Sequence, residues 1–207
     1  AGHIRAAKKY DVYPVLAQQS IRELNFTGRN YNQVTADAAF LVFQEGFERG
    51  YGADGDHLKT IDDIDTALKA GMPMITLDLS EVMNPEAADW SEDRLNSAFA
   101  QLDAAEQKRI LAAYGDKTFS FGKKSVSIST LEAKKCTAMY KAALDFAKEV
   151  DEYLQEHRGK EYDLEISIDE TTTPTLPAHH LFIITELLER KVTVNSLAPR
   201  FIGEFQK

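Results

Sequence analysis

Short apolar runs recur along the chain, and segments with helical spacing separate them. These runs predict strands at Asp11–Ala17 (DVYPVLA), Met72–Asp78 (MPMITLD), Asp163–Asp169 (DLEISID) and Val192–Ser196 (VTVNS). The second run is apolar almost throughout, as buried parallel strands are. The glycine-rich segment GYGADGDHLK, residues 50–59, is too irregular to assign from its pattern.

Apolar residues at three- and four-residue spacing predict helices between these strands. They indicate the end of a helix at His3–Tyr10, a helix at Asn32–Arg49, a helix from Thr60 to about Ala70, one or two helices over Ser91–Ala113, a long helix from Ser129 to Gly159, and a helix that begins at Pro177. Ser129-Thr-Leu-Glu132 has the form of a capping box. Residues 118–128 alternate around a Gly-Lys-Lys turn, which predicts a hairpin.

The alternation of strands and helices predicts a parallel sheet with helices outside it. An eight-unit barrel needs about 250 residues and seldom fewer than about 200, whereas the pattern yields roughly five units. We therefore predict an α/β fold with TIM-barrel-like repeats that form an incomplete barrel. Residues 1–207 would form a single domain, with a helix and hairpin insertion at about 80–130. The open sheet edges of such a barrel predict a homo-oligomer, a dimer or a swapped assembly.

Composition narrows the classes of partner and compartment. Apolar residues make up 43% of the 207 residues and charged residues 28%, which is typical of a globular protein. The net charge of −9 argues against a nucleic acid or a membrane surface as partner. No apolar run reaches the ~18 residues of a membrane span. The single cysteine, Cys136, lies on an apolar helix face, so we expect it in the core and predict a reducing, cytoplasmic location.

Both ends of the sequence suggest a piece of a longer protein. The first ten residues, AGHIRAAKKY, lack the apolar stretch of a secretory signal, so we expect none. The sequence begins without Met and stops at FIGEFQK without a cap or a polar tail. We therefore expect a processed product or a fragment.

The segment from Gly50 to Lys59 holds the densest group of reactive side chains. Gly50, Gly52 and Gly55 spell Gly-x-Gly-x-x-Gly, but the segment follows a helix and carries carboxylates that would repel a pyrophosphate, which argues against dinucleotide binding. Asp54, Asp56 and His57 are residue types that suit a divalent metal. A solvated acidic loop with an incidental histidine explains the same residues, so both interpretations stay open here.

Polar residues also follow one face of the strand Asp163–Asp169. Glu165, Ser167 and Asp169 alternate with Leu164, Ile166 and Ile168. Burial of such a polar face is costly without partners, which favours a functional role over an edge strand with a wet face. Asp169, Glu170 and three threonines then stand at the carboxyl end of the strand, where barrel enzymes place their sites.

Two further positions offer binding groups. His179 and His180 are adjacent on a helix and diverge by about 100 degrees, so one at most faces a given ion, and His179 is the weaker candidate. Arg200 follows the last predicted strand. Its guanidinium could clamp a carboxylate or phosphate, or pair with an acidic neighbour.

Several segments together resemble the tagaturonate epimerase family. They are GHIRA near the start, VLAQQSIREL at 15–24, GADGDHLKT at 52–60, EISIDETTTPT at 165–175 and SLAPRFIGEFQK at 196–207. Gly55 departs from the pattern, since the family has Ala there more often. Family members are about twice as long, and their remaining metal-binding histidines are expected beyond Lys207.

The resemblance implies a role for each matching residue. His57 is similar to a metal ligand for Zn, Mn, Ni or Mg, Asp56 to the proton acceptor and Glu165 to the partner acid. Asp169 and Glu170 stay candidates for that acid, because they lie nearer the carboxyl end of the strand. The substrate would be a keto-sugar acid, and the residues implied in its binding are Lys59, His180, Arg200, Gln18 and Gln19.

The implied activity is the interconversion of tagaturonate and fructuronate. The inverted carbon is β to the ketone, so its C–H bond is not acidified, and we hypothesise a retro-aldol route, with deprotonation or transient oxidation as alternatives. A different metal-dependent sugar isomerase or aldolase on the same barrel also fits, although a neutral sugar would not need Arg200. A third interpretation is an inactive fragment that binds sugar acids, because a catalytic zinc site typically needs three protein ligands.

Overall fold

The computed structural model describes residues 1–171 and 174–203. The chain has a mixed α/β fold with one five-stranded sheet and one two-stranded sheet. It divides into two compact units, of which the first comprises Ala1–Asp78, Glu152–Ser167 and Val194–Leu197 and the second comprises the remainder. None of the described helices combines the length and the apolar character that a membrane span requires.

The first unit contains the larger sheet and the helices that connect its strands. Its strands are β1 (Val15–Ser20), β2 (Gly52–Leu58), β3 (Met74–Asp78) and β6 (Asp163–Ser167), with most of β7 (Ser196–Ala198). Its helices are α1 (Gly2–Ala7), α2 (Ile21–Thr27), α3 (Tyr31–Gln44) and α4 (Ile61–Lys69). The strand order is β1-β2-β3-β6-β7, and the first four strands are parallel. The strands therefore follow one another across the sheet in chain order.

The sheet has one apolar face and one polar face. Because side chains alternate along a strand, Ile75 and Leu77 of β3 lie on the face opposite Thr76 and Asp78. All four of these residues are buried. Burial on both faces is typical of a parallel sheet, but here one of the buried faces carries carboxylates and hydroxyls.

Gly55 of β2 belongs to the apolar face and packs tightly. A Cβ at this position would lie 2.9 Å from Cβ of Ala67 on α4 and 3.0 Å from Cδ1 of Leu58. The absence of a side chain at Gly55 therefore permits the close approach of α4 to the sheet.

The second unit is mostly helical. It contains a 3-10 helix (Pro85–Asp89), α5 (Glu92–Phe99), α6 (Ala104–Tyr114), the hairpin strands β4 (Lys117–Phe121) and β5 (Lys124–Ile128), and α8 (Pro177–Glu189). The long helix α7 (Thr130–Arg158) begins in this unit and ends in the first. Glu186 of α8 is buried and accepts hydrogen bonds from Arg109 (2.7 and 2.9 Å), Tyr114 (2.7 Å) and Arg190.

The structure confirms several of the predicted elements. Thr60 caps α4, since its Oγ1 accepts from the amide of Asp63 at 3.1 Å. The hairpin, the two helices within 91–113, and the helix that begins at Pro177 are also present. At the predicted capping box, the amide of Glu132 donates to Ser129 Oγ at 3.0 Å.

Other elements differ from the prediction. The first strand is displaced from Asp11–Ala17 to β1, and the last from Val192–Ser196 to β7. Most of the unassigned segment at 50–59 forms β2, although glycines and aspartates are uncommon in strands. The strand pairs with β1 and β3, whose side chains donate hydrogen bonds to its polar face. Helix α2 was not predicted, although Ser20 and Glu23 form a full capping box at its start. A closed barrel is not seen, since β1 and β7 end the strand order among the described residues.

Candidate functional site

The polar face of the larger sheet gathers the reactive side chains of the first unit. Strand register places Gln18 of β1 beside Asp54 of β2, and Thr76 of β3 beside Glu165 of β6. Neighbouring parallel strands thus bring together an amide, a hydroxyl and carboxylates that lie far apart in sequence. This cluster is the candidate functional site of the unit.

Asp54 lies at the centre of this cluster. The residue is 2% exposed, and its Oδ2 accepts from Thr76 Oγ1 at 3.0 Å and from Gln18 Nε2 at 3.3 Å. Its Oδ1 is buried and lacks a hydrogen-bond partner among the described residues. Burial, with the nearby carboxylates of Asp56 and Glu165, raises the pKa of Asp54 to about 7 against the lowering effect of the hydrogen bonds from Thr76 and Gln18. A pKa in this range would suit Asp54 to proton transfer near neutral pH.

Asp56 shares a partner with Asp54. The amide of Gln18 also donates to Asp56 Oδ1 at 3.3 Å. Burial raises the pKa of Asp56 above its ordinary value, while His57 and Gln18 act in the opposite direction. A carboxylate with a raised pKa is a stronger base than a free one, which suits a proton acceptor.

His57 occupies a strained position on β2. Its φ is +51°, a conformation that residues other than glycine adopt rarely. The register between β2 and β3 shifts between Gly55 and Leu58, so His57 lies where the ladder is irregular. Strained backbone and bulged strands are both common at functional sites.

The imidazole of His57 faces a buried carboxylate. Its Nδ1 lies 3.4 Å from Oδ2 of Asp78, a residue that is 2% exposed. Lys59 Nζ lies 3.5 Å from the same oxygen. Asp78 thus joins two of the residues that the sequence singled out.

Glu165, Gln18 and Gln19 are the remaining residues of the first unit that the sequence predicts for the site. Ser196 Oγ donates to Glu165 Oε2. Gln19 faces away from Gln18, as successive residues of a strand do, and its Oε1 accepts from Arg29 at 3.5 Å. The structure therefore brings Gln18, Asp56 and Glu165 to one face but directs Gln19 elsewhere.

The comparisons with known proteins cover almost the whole chain. The family model described as tagaturonate epimerase matches residues 1–207. The chain belongs to the tagaturonate epimerase family. The "Tagaturonate/fructuronate epimerase" of Thermotoga maritima is 35% identical over 205 residues, which are 99% of this chain and 42% of that protein.

Solved structures of the tagaturonate epimerase family share the fold. UxaE from Cohnella laeviribosi, titled a fructuronate-tagaturonate epimerase, is 44% identical with a TM-score of 0.95 in its one-glycerol complex, and 0.94 in its native structure. The match covers 100% of this chain and 42% of that chain. The chain therefore spans less than half the length of the relatives it matches.

The remaining candidates implied by the tagaturonate epimerase resemblance lie in the second unit. Asp169 is half-buried, and Glu170 is exposed. His180 is half-buried, and its Nδ1 is buried without a hydrogen-bond partner in the part of the chain that is described. The backbone of Arg200 exchanges hydrogen bonds with Thr175, at 2.8 and 3.0 Å. Thr172, Thr173 and residues 204–207 lie outside the described residues.

The structure adds to this candidate site three residues that sequence reasoning missed, Thr76, Asp78 and Ser196. It also places Asp54, predicted only as a residue type that suits a metal, at the centre of the site. The sequence pattern could have indicated Thr76 and Asp78, because they are polar residues two positions apart in an otherwise apolar strand and therefore lie on the same face of it. Asp54 was noted only as part of an acidic segment, because that segment was not recognised as a strand.

Proposed function

We propose that this chain forms part of the active site of an enzyme that interconverts tagaturonate and fructuronate. Family membership supports the reaction class. The observation that carries the proposal is the pair of the buried Asp54 and the half-buried Asp56, whose pKa values are both raised and which share the amide of Gln18. Such a pair can accept and return a proton.

We propose that the larger sheet is an arc of a TIM barrel. Its parallel strands follow chain order, as barrel strands do. Strands from another part of the protein or from a second copy would close it, so the single barrel-type domain with its insertion at about 80–130 and the homo-oligomer stay predictions. The cytoplasmic location also stays a prediction, which rests on the single cysteine.

The proposed chemistry is a retro-aldol cleavage followed by aldol addition. Asp56 accepts the proton of the hydroxyl on the β carbon. The β carbon and its oxygen then form the carbonyl of an aldehyde as the bond between the α and β carbons breaks. Its electron pair passes to the α carbon and the ketone as an enolate. The aldehyde turns its other face, the bond forms again, and Asp56 returns the proton.

Other residues of the chain take supporting roles in this proposal. Glu165, or Asp169 or Glu170 in its place, acts as the partner acid. Asp54, protonated on the unpartnered Oδ1, can donate a hydrogen bond to a sugar oxygen. Lys59 and Arg200 are assigned to the substrate carboxylate, and His180 and Gln18 to hydroxyl groups, whereas Gln19 faces Arg29 and has no role in the proposal.

The donor set at His57 fits a divalent metal in part. The imidazole nitrogen and the Asp78 oxygen are 3.4 Å apart, and both atom types ligate Zn, Mn, Ni and Mg ions to different degrees. When bound, such a cation would act as a Lewis acid towards the ketone oxygen. Metal dependence is part of the proposal.

The test begins with the native protein, because this chain of 23.2 kDa covers only part of its relatives. After its intact mass is measured, the protein is incubated with tagaturonate and a divalent metal, and fructuronate is followed by chromatography. We expect turnover, and a loss of about 100-fold or more in kcat for Asp56→Asn. We expect His57→Ala to abolish turnover, whereas the exposed Asp62→Asn should match the wild type.

An Asp56→Asn protein with full activity would contradict the assignment of the base.

The reaction run in D2O distinguishes retro-aldol cleavage from direct deprotonation. Retro-aldol chemistry leaves the hydrogen on the inverted carbon in place, whereas deuterium at that carbon would indicate direct deprotonation. Turnover of a neutral keto-sugar in preference to the acid would favour the alternative sugar isomerase.

A further inference from the structure

A second group of potential metal ligands lies within the second unit, on α7 and α8. Glu132 and Cys136 are four residues apart on α7, so they lie on the same side of the helix. His179 belongs to the first turn of α8. One carboxylate oxygen, the Cys136 sulfur and one imidazole nitrogen all lie within 4.8 Å of one another.

Hydrogen bonds hold the imidazole of His179 in place from both sides. Its Nε2 lies 2.8 Å from Glu132 Oε1, and its Nδ1 lies 3.0 Å from the hydroxyl of Tyr140. Histidines that ligate metals almost always use the second ring nitrogen in a hydrogen bond of this type, which orients the ring. With a metal on Nε2, Nδ1–H would donate to the oxygen of Tyr140.

The donor types distinguish this group from an ordinary buried ion pair. Thiolate, imidazole and carboxylate are the three ligand types of protein zinc sites. Cys136 and His179 are buried, whereas the side chain of Glu132 is 25% exposed and offers a path for an ion. We propose that Glu132, Cys136 and His179 form a zinc-binding site that leaves a fourth position for water or another ligand.

Zinc binding at this site is coupled to proton release. The thiol of Cys136 must lose its proton to solvent when the zinc–sulfur bond forms, and the nitrogen of His179 that binds zinc must carry no proton. No bond of the chain is broken and no oxidant is needed. Apparent affinity should therefore rise with pH.

Cobalt provides a direct test on the purified 207-residue chain. The chain has one cysteine, so a near-ultraviolet charge-transfer band from sulfur to Co²⁺ can arise only at Cys136. We expect this band on titration with Co²⁺ and its loss when Zn²⁺ displaces the cobalt. Cys136→Ala should abolish the band, and Tyr140→Phe should weaken metal affinity by about 10-fold to 100-fold.

Matched controls separate this site from the rest of the protein. Glu132→Gln should weaken binding, whereas Glu149→Gln, at an exposed position of the same helix, should not. His57→Ala should leave the band unchanged, so the result is independent of the proposed epimerase activity. Circular dichroism first establishes that the wild-type chain is folded. If the folded wild-type chain gives no band, the proposal is overturned, and this result does not depend on whether any variant folds. Equal effects of Glu132→Gln and Glu149→Gln would overturn it as well.

Discussion

Asp54 in the first unit and Glu186 in the second are both carboxylates with at most 2% exposure, yet their surroundings have opposite effects. Burial and the nearby carboxylates together raise the pKa of Asp54 to about 7, and burial is the larger cause. Burial would also raise the pKa of Glu186. Hydrogen bonds from Arg109, Arg190 and Tyr114 outweigh burial there and hold that pKa below its ordinary value.

This difference separates a structural carboxylate from a candidate for chemistry. Glu186 has cationic partners that compensate its charge, so it stays ionised and joins α6 to α8. Asp54 has two neutral donors on one oxygen, and its other oxygen has no partner among the described residues. Burial alone therefore does not identify a functional carboxylate, whereas burial with an unsatisfied oxygen and a raised pKa favours one.

The largest expected effect is on the free energy of unfolding, and it tests whether the arginines compensate the buried charge of Glu186. Glu186→Gln should lower the free energy of unfolding by about 3 kcal/mol, because it removes one partner of a buried ion pair and leaves two arginines. Asp54→Asn should cost at most about 1 kcal/mol, because a pKa of about 7 leaves roughly half of the Asp54 carboxyl neutral at pH 7. Urea unfolding at pH 7 measures both. A cost at Asp54 equal to that at Glu186 would remove the distinction.

The pH dependence of stability should have opposite signs at the two residues. The folded pKa of Asp54, about 7, exceeds the ordinary 3.8, so its stabilising contribution is complete below that lower value and is lost as pH rises towards 7. The slope relative to Asp54→Asn should approach about 1.4 kcal/mol per pH unit. The contribution of Glu186 is instead present above 4.5 and is lost as pH falls through its lowered folded pKa. Unfolding curves between pH 3 and 8 test this, and parallel curves for both variants would contradict it.

The smallest expected effects come from the neutral donors. Tyr114→Phe removes one donor to Glu186 and should cost about 1 kcal/mol of unfolding free energy. Thr76→Val removes the hydroxyl that donates to Asp54 and should raise the pKa of Asp54 above 7. Carboxyl-carbon NMR titration measures the second shift. An unchanged pKa would show that the Thr76 hydrogen bond does not favour the charged form.

Local chemistry explains which elements were predictable. Thr60 and Ser129 mark helix starts by satisfying free amide groups, so those helices follow from sequence. Strand β2 was not predictable from hydrophobic pattern, because Gly52, Asp54 and Asp56 are unfavourable in strands. Its stability depends on neighbours that sequence does not identify, including the Thr76 hydroxyl and the close fit of Gly55 against Ala67.

The sequence by itself determined the family and the α/β alternation, and its resemblance to that family predicts roles for Asp56, His57 and Glu165. These follow from local periodicity and from motifs whose residues are adjacent in the chain. Only the tertiary structure decided that Asp54 lies between Thr76 and Gln18, that Asp78 faces His57, and that Glu132, Cys136 and His179 converge. Strand register and helix packing set these distances, and both depend on contacts between residues far apart in sequence.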